Sequence, residues 1–192
     1  LPAERAFTHN IVWKDNPLHE RANSYTALIE DREGAIWAGT MAGLARFDPD
    51  IGSFTYFYHD PQNPDSPSSD QVNDLAEDFN GRLWMSTQNG LDWFDRKTNR
   101  FVHMDIPEAG PGADLYLEHS WVLWFGTQGG GLNRFDRQTE TFTRFHTNPR
   151  DPRAINNDFI MSLHEPESGV MWIATWGGGL SRFDRAEGTF KS

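Results

Sequence analysis

The residues that could do chemistry are seven His and 28 Asp or Glu side chains, and their spacing matches none of the common catalytic motifs. The chain has no His-Glu-x-x-His metal motif, no glycine loop that cradles phosphate and no Gly-x-Ser-x-Gly nucleophile turn. The segment Asp78-Phe79-Asn80-Gly81 begins like a calcium loop but lacks the remaining ligands and the closing Glu. We therefore predict no catalytic residue, no metal ligand and no cofactor, and hence a protein that is not an enzyme.

The recurring polar residues have structural explanations. Acids stand where turns begin, at Asp31, Asp48, Asp78, Asp95, Asp136 and Asp184. His59, His103 and His146 fall near the ends of predicted outer strands, where a solvated role is favoured over metal binding. The glycine runs 129–131 and 177–179 lie between two strands rather than before a helix, so we interpret them as turns.

Side chains that differ between otherwise repeated segments are the candidates for ligand recognition. They follow a recurring Thr or lie in the linkers between repeats: Met41, Gln88, Asn89, Gln128, Trp176, Asp70, Asn73, Asn157 and Asp158. Amides, carboxylates and one aromatic ring suit a saccharide or another polar small molecule, through hydrogen bonding and ring stacking. Ordinary solvated loops are the alternative interpretation of each residue.

A fourfold internal repeat must position these candidates. Each copy has a hydrophobic residue, Trp, any residue, a small residue and Thr, followed by Gly-Leu and then Phe-Asp. The anchors are Trp37, Trp84, Trp124 and Trp172, spaced 47, 40 and 48 residues apart. Self-similarity at such a period is the sequence signature of a repeat architecture.

Each copy predicts four short strands joined by tight turns, which is the make-up of a β-propeller blade. In the second copy these strands run over residues 72–77, 82–87, 91–94 and 100–104. The sequence therefore predicts an all-β fold, a β-propeller of four-stranded antiparallel blades. Its four anchor Trp residues should lie on second strands and be buried between blades, because a lone blade leaves both faces uncovered.

The chain is predicted to be one propeller domain over residues 1–192. An N-terminal outer strand and linker occupy 1–22, and the blades occupy 23–70, 71–112, 113–158 and 159–192. The third copy is shorter, because Phe101 and Trp124 are 23 residues apart where the other copies have 30. Its Asp-x-x-Gly turn is replaced by residues 118–121. We predict a degenerate start to this blade, with a recessed binding notch as the alternative.

The two ends of the chain are complementary in the repeat. Residues 7–12 align with an outer strand, and the fourth copy reaches Ser192 when its own outer strand has barely begun. Either the N-terminal strand completes the last blade and closes a four-bladed ring, or the chain is a segment of a larger propeller. Both possibilities stay open at the level of sequence.

Composition excludes several classes of partner. The net charge of -11 disfavours nucleic acid and anionic membranes, both of which draw on clustered Lys and Arg. No run of residues approaches the length of an apolar membrane span, so we expect a soluble chain without a span of its own. The absence of Cys excludes disulfides and thiolate metal sites.

Three segments carry a family resemblance. Residues 29–40, the run 129–136 and the linker 59–66 resemble the two-component regulator propeller repeat. In that family such repeats form the extracytoplasmic sensor of membrane-bound histidine kinases, hybrid kinases and related regulators. The resemblance implies a periplasmic or extracellular sensor module, with saccharides as a ligand class.

The expected function is ligand sensing, with a small molecule or saccharide as partner and with the remaining blades or another protomer as further partners. A propeller that binds proteins is the alternative. A propeller lyase or glycoside-active enzyme is a more distant third, since it would need polar groups converging on the axis with shifted pKa values.

Overall fold

The computed structural model describes residues 19–106, 110–118, 121–167 and 169–191. One short helix, α1 (His19–Ala22), precedes the strands. The strands are β1 (Tyr25–Glu30), β2 (Ile36–Thr40), β3 (Gly43–Asp48), β4 (Ser53–Phe57), β5 (Val72–Glu77), β6 (Leu83–Thr87), β7 (Gly90–Asp95), β8 (Arg100–Met104), β9 (Gly112–Leu117), β10 (Val122–Thr127), β11 (Gly131–Asp136), β12 (Thr141–Phe145), β13 (Ile160–Glu167), β14 (Val170–Thr175), β15 (Gly179–Asp184) and β16 (Thr189–Lys191).

These strands form four sheets, and each sheet takes four consecutive strands in sequence order. Every neighbouring pair within a sheet is antiparallel. Blade 1 is β1–β4, blade 2 is β5–β8, blade 3 is β9–β12 and blade 4 is β13–β16. The predicted all-β propeller of four-stranded antiparallel blades is confirmed.

The first strands of successive blades pack on one another, β1 on β5, β5 on β9 and β9 on β13, so these strands line the propeller axis. Between the blades, the anchor Trp of each of the first three blades contacts a Phe of the next blade. The ring centroids lie 5.5 Å apart for Trp37 and Phe94, and 5.7 Å apart for Trp84 and Phe135. Trp37, Trp84 and Trp124 are buried, as predicted.

Trp172 is the exception, because it is only half-buried and the prediction of burial is wrong for this residue. It occupies the anchor position of blade 4 and pairs with His164 and Arg182 in its own sheet. No further blade lies against it among the described residues. Burial of an anchor Trp therefore depends on the next blade and not on its own strand.

A polar contact accompanies each pair of blades. The indole N–H of Trp37 donates to Asp31 Oδ2 at 2.6 Å, and Arg96 of blade 2 donates to the same oxygen at 2.8 Å. Trp84, Asp78 and Arg137 repeat this arrangement at 3.0 and 2.6 Å. At the third interface Glu118 accepts from both Trp124 and Arg185. We call this trio of Trp, carboxylate and Arg the inter-blade clamp.

The shortening of the third copy falls in its linker and leaves the blade complete. All four strands β9–β12 pair in one sheet, so the degeneracy predicted for this copy does not reach its strands. Glu118 replaces the turn Asp and still accepts the Trp124 indole N–H at 2.5 Å. The linker between β8 and β9 is seven residues shorter than the linkers before β5 and β13.

The last blade has a short outer strand of its own, at the position where the sequence indicated the beginning of one. Strand β16 pairs with β15 through Phe190 and Phe183. Residues 7–12, which the sequence assigns to an outer strand, lie outside the described part of the chain. Strand β16 has three described residues.

Candidate functional site

Four of the predicted recognition residues occupy equivalent places on one face of the propeller, here called the upper face. Each follows the end of a second strand and donates its backbone N–H to the residue that precedes the first strand. Met41 donates to Ser24, Gln88 to Gln71, Gln128 to Pro111 and Trp176 to Phe159, over 3.2, 3.0, 2.8 and 2.8 Å. The first strands line the axis, so these four positions surround its upper end.

The recurring Thr before each variable residue holds this loop in shape. Thr40 Oγ1 donates to the carbonyl of Gly43 at 2.9 Å and accepts the backbone N–H of Ala42. Thr87, Thr127 and Thr175 make the equivalent bond to the Gly that opens the third strand. The side chain at the variable position takes no part in this bonding, and Gln88, Gln128 and Trp176 are exposed.

The linker residues predicted for the site are used mainly to hold the structure together. Asp70 accepts the backbone N–H of His59 at 2.7 Å, and Asp158 accepts both the N–H and the hydroxyl of Thr147. Asn73 donates to the carbonyl of Gly112 in the next blade, and Asn157 accepts the N–H of Phe159. These four side chains stabilise the linkers and strands that surround the upper face.

A pocket opens on the upper face beside the shortened linker. In the longer linkers an Asp stands at this point, Asp70 or Asp158, and its carbonyl accepts the N–H of Gly43 or Gly131. Gly110 stands at the equivalent point of the short linker. It lies 40 residues after Asp70, and the anchors Trp84 and Trp124 are also 40 residues apart. Gly43, Gly90 and Gly131 open the third strands of blades 1 to 3. The space where a side chain would stand is filled by the carbonyl of Phe57 at Gly43 and by that of Phe145 at Gly131, but it is open at Gly90.

This upper-face pocket has a volume of about 340 Å³ and contains two of the predicted residues. It is lined by Gln88, Asn89, Gly90, Met104, Ile106, Gly110 and Pro111. The Asn89 amide donates to the carbonyl of Ser68 at 2.6 Å, which fixes its orientation, and the Gln88 side chain is exposed to solvent. Amide groups above an apolar floor of Met104, Ile106 and Pro111 can bind a small molecule with both polar edges and an apolar face.

Met104, Ile106 and Pro111 were not among the residues predicted from sequence. They are the ends of the shortened linker and, by themselves, ordinary apolar residues. The signal that pointed to them was the missing seven residues, which left a recessed notch as the alternative interpretation. The structure places a pocket at that point.

A pair of carboxyl groups lies on strands β5 and β9, which line the axis, and the sequence analysis did not identify this pair. Asp74 of β5 accepts the backbone N–H of Leu115 at 2.8 Å. Asp114 of β9 accepts the backbone N–H of Leu163 and the hydroxyl of Ser162. Burial is the largest cause that raises the pKa of Asp74 to about 7, and a hydrogen bond with Asp114 is the second. Asp74 therefore links blade 2 to blade 3 through Leu115 and the carboxyl of Asp114.

His103 also departs from the expected solvated role. Its ring lies 2.9 Å from Asp92 Oδ1 and 3.1 Å from the carbonyl of Pro64. Asp92 is buried and accepts the N–H of Ser68, so the pair holds the long linker before β5 against blade 2. The hydrogen bond with Asp92 raises the pKa of His103, although burial opposes this change. The contact is structural.

A larger groove of about 610 Å³ lies on the opposite, lower face between blades 1 and 2. Its charged walls are already paired with one another: Arg96 binds Asp31 and Glu77, and Arg32 lies 3.3 Å from Glu77. Burial would raise the pKa of Asp31, but the Trp37 indole, two backbone N–H groups and Arg96 together lower it. The groove is thus the lower edge of an inter-blade clamp.

Within the described residues, no group of three or more His, Asp or Glu side chains converges as a metal site would require. Over the same residues, no helix is long and apolar enough to cross a membrane.

Comparison with known proteins agrees with this architecture. The family model for the two component regulator propeller matches residues 19–42 and 66–89, which contain the loops of Met41 and Gln88. The comparison with curated proteins gave no match.

Two similar solved structures are extracellular domains from B. thetaiotaomicron. One belongs to a putative one component system, with 18% identity, a TM-score of 0.77 and coverage of 92% of this chain and 26% of that one. The other belongs to a putative hybrid two component system, with 24% identity, a TM-score of 0.76 and coverage of 88% and 24%. The chain spans about a quarter of the length of each domain.

The WD40 repeats of RRP9 are similar too, at 12% identity and a TM-score of 0.66, over 88% of this chain and 50% of that one. At these identities the structural likeness is one of fold alone. The chain is therefore an arc of four propeller blades, and its residues 19–42 and 66–89 match the two component regulator propeller family.

Proposed function

We propose that this chain is a ligand-sensing propeller module, part of the extracytoplasmic input domain of a signalling receptor. The observation that carries the proposal is the separation of roles on the upper face. Bonded Thr and Gly residues hold each loop, while the exposed side chain that follows the Thr differs from blade to blade. Similarity to extracellular domains of two putative signalling systems supports the assignment to this class.

The ligand that fits the upper face best is a neutral saccharide or a similar polar small molecule. A sugar ring has an apolar face and hydroxyl edges, which match the apolar floor of the upper-face pocket and the amides of Gln88 and Asn89. The Trp176 ring is 68% exposed and provides a surface for stacking at the same face. The net charge of -11 disfavours strongly anionic glycans.

The test is calorimetric titration of the intact chain with a panel of neutral oligosaccharides, with sulfated oligosaccharides as a comparison set. Trp176→Ala should weaken binding several-fold, since loss of one stacked aromatic costs about 0.5–1.5 kcal/mol beyond its area. Gln88→Ala should weaken it by a similar factor, because a net hydrogen bond contributes about 0.5–1.5 kcal/mol. Neither exposed side chain belongs to the core, so the thermal midpoint should not change.

The matched control is Trp121→Ala, which removes an exposed Trp from the lower face. Binding that is equally sensitive to Trp121 and Trp176 would contradict an upper-face site. Turnover of a glycan in the same titrations would show that the chain is an enzyme, with Asp74 and Asp114 as the first residues to examine.

The second candidate function is protein binding, which the WD40 likeness supports. The same upper face would then contact a partner through Trp176 and its neighbours. Absence of any saccharide binding, together with capture of a defined peptide or protein that Trp176→Ala abolishes, would favour this alternative.

A further inference from the structure

The groove on the lower face between blades 1 and 2 has a lining that is rich in charge. We call it the lower-face groove, and its volume is about 610 Å³. Trp93 and Phe94 contribute apolar surface to it. Its charged residues are four cations and three carboxylates: Arg32, Arg82, Arg96 and Lys97, and Glu33, Glu77 and Asp95. Cations therefore outnumber carboxylates in this groove, although the chain has a net charge of -11.

Two of the three carboxylates neutralise cations of the groove itself. Glu77 binds Arg96 at 2.9 Å and lies 3.3 Å from Arg32. Glu33 lies 3.4 Å from Arg96. These contacts account for the charges of Arg32 and Arg96. Arg82 differs from both, because it forms no ion pair with any residue that the structure describes.

The unpaired state of Arg82 follows from two departures from the repeat in blade 2. In the other blades the third strand carries an Arg that pairs with the Asp two residues later, at 3.6, 3.4 and 3.8 Å: Arg46 with Asp48, Arg134 with Asp136 and Arg182 with Asp184. Blade 2 has Trp93 at this position, and it has Arg82 where the other blades have Ala35, Val122 and Val170. The turn carboxylate of blade 2, Asp95, instead accepts the hydroxyl of Thr98 and the backbone N–H of Lys97.

The two exchanged residues contact one another. The Arg82 guanidinium lies over the Trp93 ring, 4.5 Å from its centroid. Trp93 is fixed in turn against the buried Trp84, with ring centroids 6.2 Å apart. A guanidinium stacked on an aromatic ring keeps the N–H groups along its edge, where a carboxylate can accept two parallel hydrogen bonds. Blade 2 thus presents a preorganised cation to the groove.

The rest of the lining restricts what else a ligand can carry. Glu33, Glu77 and Asp95 repel a second negative charge, which disfavours dicarboxylates and phosphate esters. The same carboxylate oxygens can accept hydrogen bonds from hydroxyl groups, and the Asn80 amide in the lining can donate or accept them. The volume lies in the range of small-molecule sites.

We propose that the lower-face groove binds a hydroxylated monocarboxylic acid, such as a sugar acid, whose carboxylate pairs with Arg82 on Trp93. Lys97 adds an exposed positive charge to the same lining. The hydroxyl groups of the acid meet the acidic part of the groove. This site lies on the opposite face from Gln88 and Trp176, so it does not depend on the function proposed above.

The first test is calorimetric titration of the intact chain at pH 7 with five ligands that share a six-carbon skeleton. Glucuronate and gluconate carry one carboxylate, glucose carries none, and glucarate and glucose 6-phosphate are dianions. At least one of the two monocarboxylates should bind about ten-fold or more tightly than the other three ligands, as expected for hydrogen bonds between charged groups. Absence of binding by both, equal binding of glucose, or tighter binding of a dianion would overturn the proposal.

The second test gives blade 2 the residues of the other blades. Arg82→Val together with Trp93→Arg leaves the net charge unchanged and uses residues that blades 3 and 4 carry at these positions, so the double variant should fold. The new Arg should pair with Asp95 and be lost to the ligand. We expect binding of the monocarboxylate to weaken about ten-fold or more. Unchanged binding by this variant would contradict the assigned role of Arg82 and Trp93.

The third test separates the paired from the unpaired cation. Arg82→Gln and Arg134→Gln each remove one positive charge, but Arg134 already pairs with Asp136 in blade 3. Only Arg82→Gln should weaken binding of the monocarboxylate. Equal weakening by Arg134→Gln would show a general effect of charge and overturn the site. Loss of binding in Trp176→Ala, with Arg82→Gln unaffected, would place the acid on the upper face, which would overturn this proposal and leave the upper-face function intact.

Discussion

At the scale of single residues, Asp74 is a carboxyl group that folding keeps protonated. Its pKa of about 7 in the folded chain exceeds the value of about 3.9 for an unfolded Asp. Between these two values the folded chain binds more protons than the unfolded chain, so its stability falls as the pH rises. The contribution is fully present below the unfolded pKa and is lost as the pH passes the folded pKa of about 7.

Asp74→Asn should therefore stabilise the chain at alkaline pH and remove this part of its pH dependence. The Asn amide keeps an acceptor for the Leu115 N–H and offers a donor to Asp114, as the protonated acid does. Urea unfolding, followed by Trp fluorescence, should show a gain in free energy of unfolding at about pH 8 that vanishes near pH 4. Asp105→Asn, at an exposed linker residue, is the control, and parallel curves for Asp74→Asn and the unchanged chain would contradict the assignment.

Residue roles divide sharply between those that the sequence predicts and those that it does not. The burial of Trp84 followed from its place in the repeat, because every blade needs an anchor. The pairing of Asp74 with Asp114 could not be foreseen, since they stand on adjacent blades at a position where blade 1 has Ala27 and blade 4 has Ser162. A contact between residues that only two copies have cannot be predicted from the pattern that all four copies share.

At the scale of elements, the inter-blade clamp places an ionic contact between each pair of neighbouring blades. Arg137 and Asp78 are the most buried example, with 2% and 0% of their side chains exposed. Asp78 also accepts the Trp84 indole and the backbone of its own turn, so its charge is held in place from both blades.

Arg137→Met should destabilise the chain by about 3–5 kcal/mol, because it leaves the buried Asp78 carboxylate without its cation. Arg100→Met is the matched control, since Arg100 pairs with Asp65 at 3.3 Å on the exposed edge of blade 2. An exposed pair of this kind contributes about 0–1 kcal/mol. Denaturant titration of both variants would measure the difference in free energy of unfolding. Equal losses of this free energy would show that the clamp stabilises the chain no more than the exposed pair does.

The strands themselves were predictable to within a residue or two. Strands β5 and β8 have the predicted bounds, because turn residues and apolar alternation mark both ends of each. The clamp was not predicted, although its signal is visible: an Arg follows Phe-Asp in three copies. Turn chemistry alone explained the acids, so nothing in a single copy indicated that Asp78 also reaches Arg137 of the next blade.

At the scale of the whole molecule, equivalent residues of the repeat differ in burial because only some of them face another described blade. Leu75 is enclosed between blades 1 and 2, while the equivalent Leu28 faces outward. The half-burial of Trp172 has the same origin. Burial at these positions depends on whether a neighbouring blade is present, and the repeat pattern is identical in either case.

Leu75→Ala should destabilise the chain by about 2–5 kcal/mol, as expected when a buried Leu is truncated and a cavity remains. Leu28→Ala, the same change at the equivalent and exposed position, should cost about 0.5 kcal/mol or less. Chemical unfolding of both variants measures the difference. An equally large loss for Leu28→Ala would contradict the dependence of stability on burial at this position.

The bonding of Thr40, Thr87, Thr127 and Thr175 has a practical consequence for protein engineering. Each hydroxyl fixes its loop by donating to the carbonyl of the Gly three or four residues further on, so the identity of the next side chain is free to change. Positions 41, 88, 128 and 176 could be randomised together on a constant frame, and selection from such a library would yield binders for targets unrelated to the natural one.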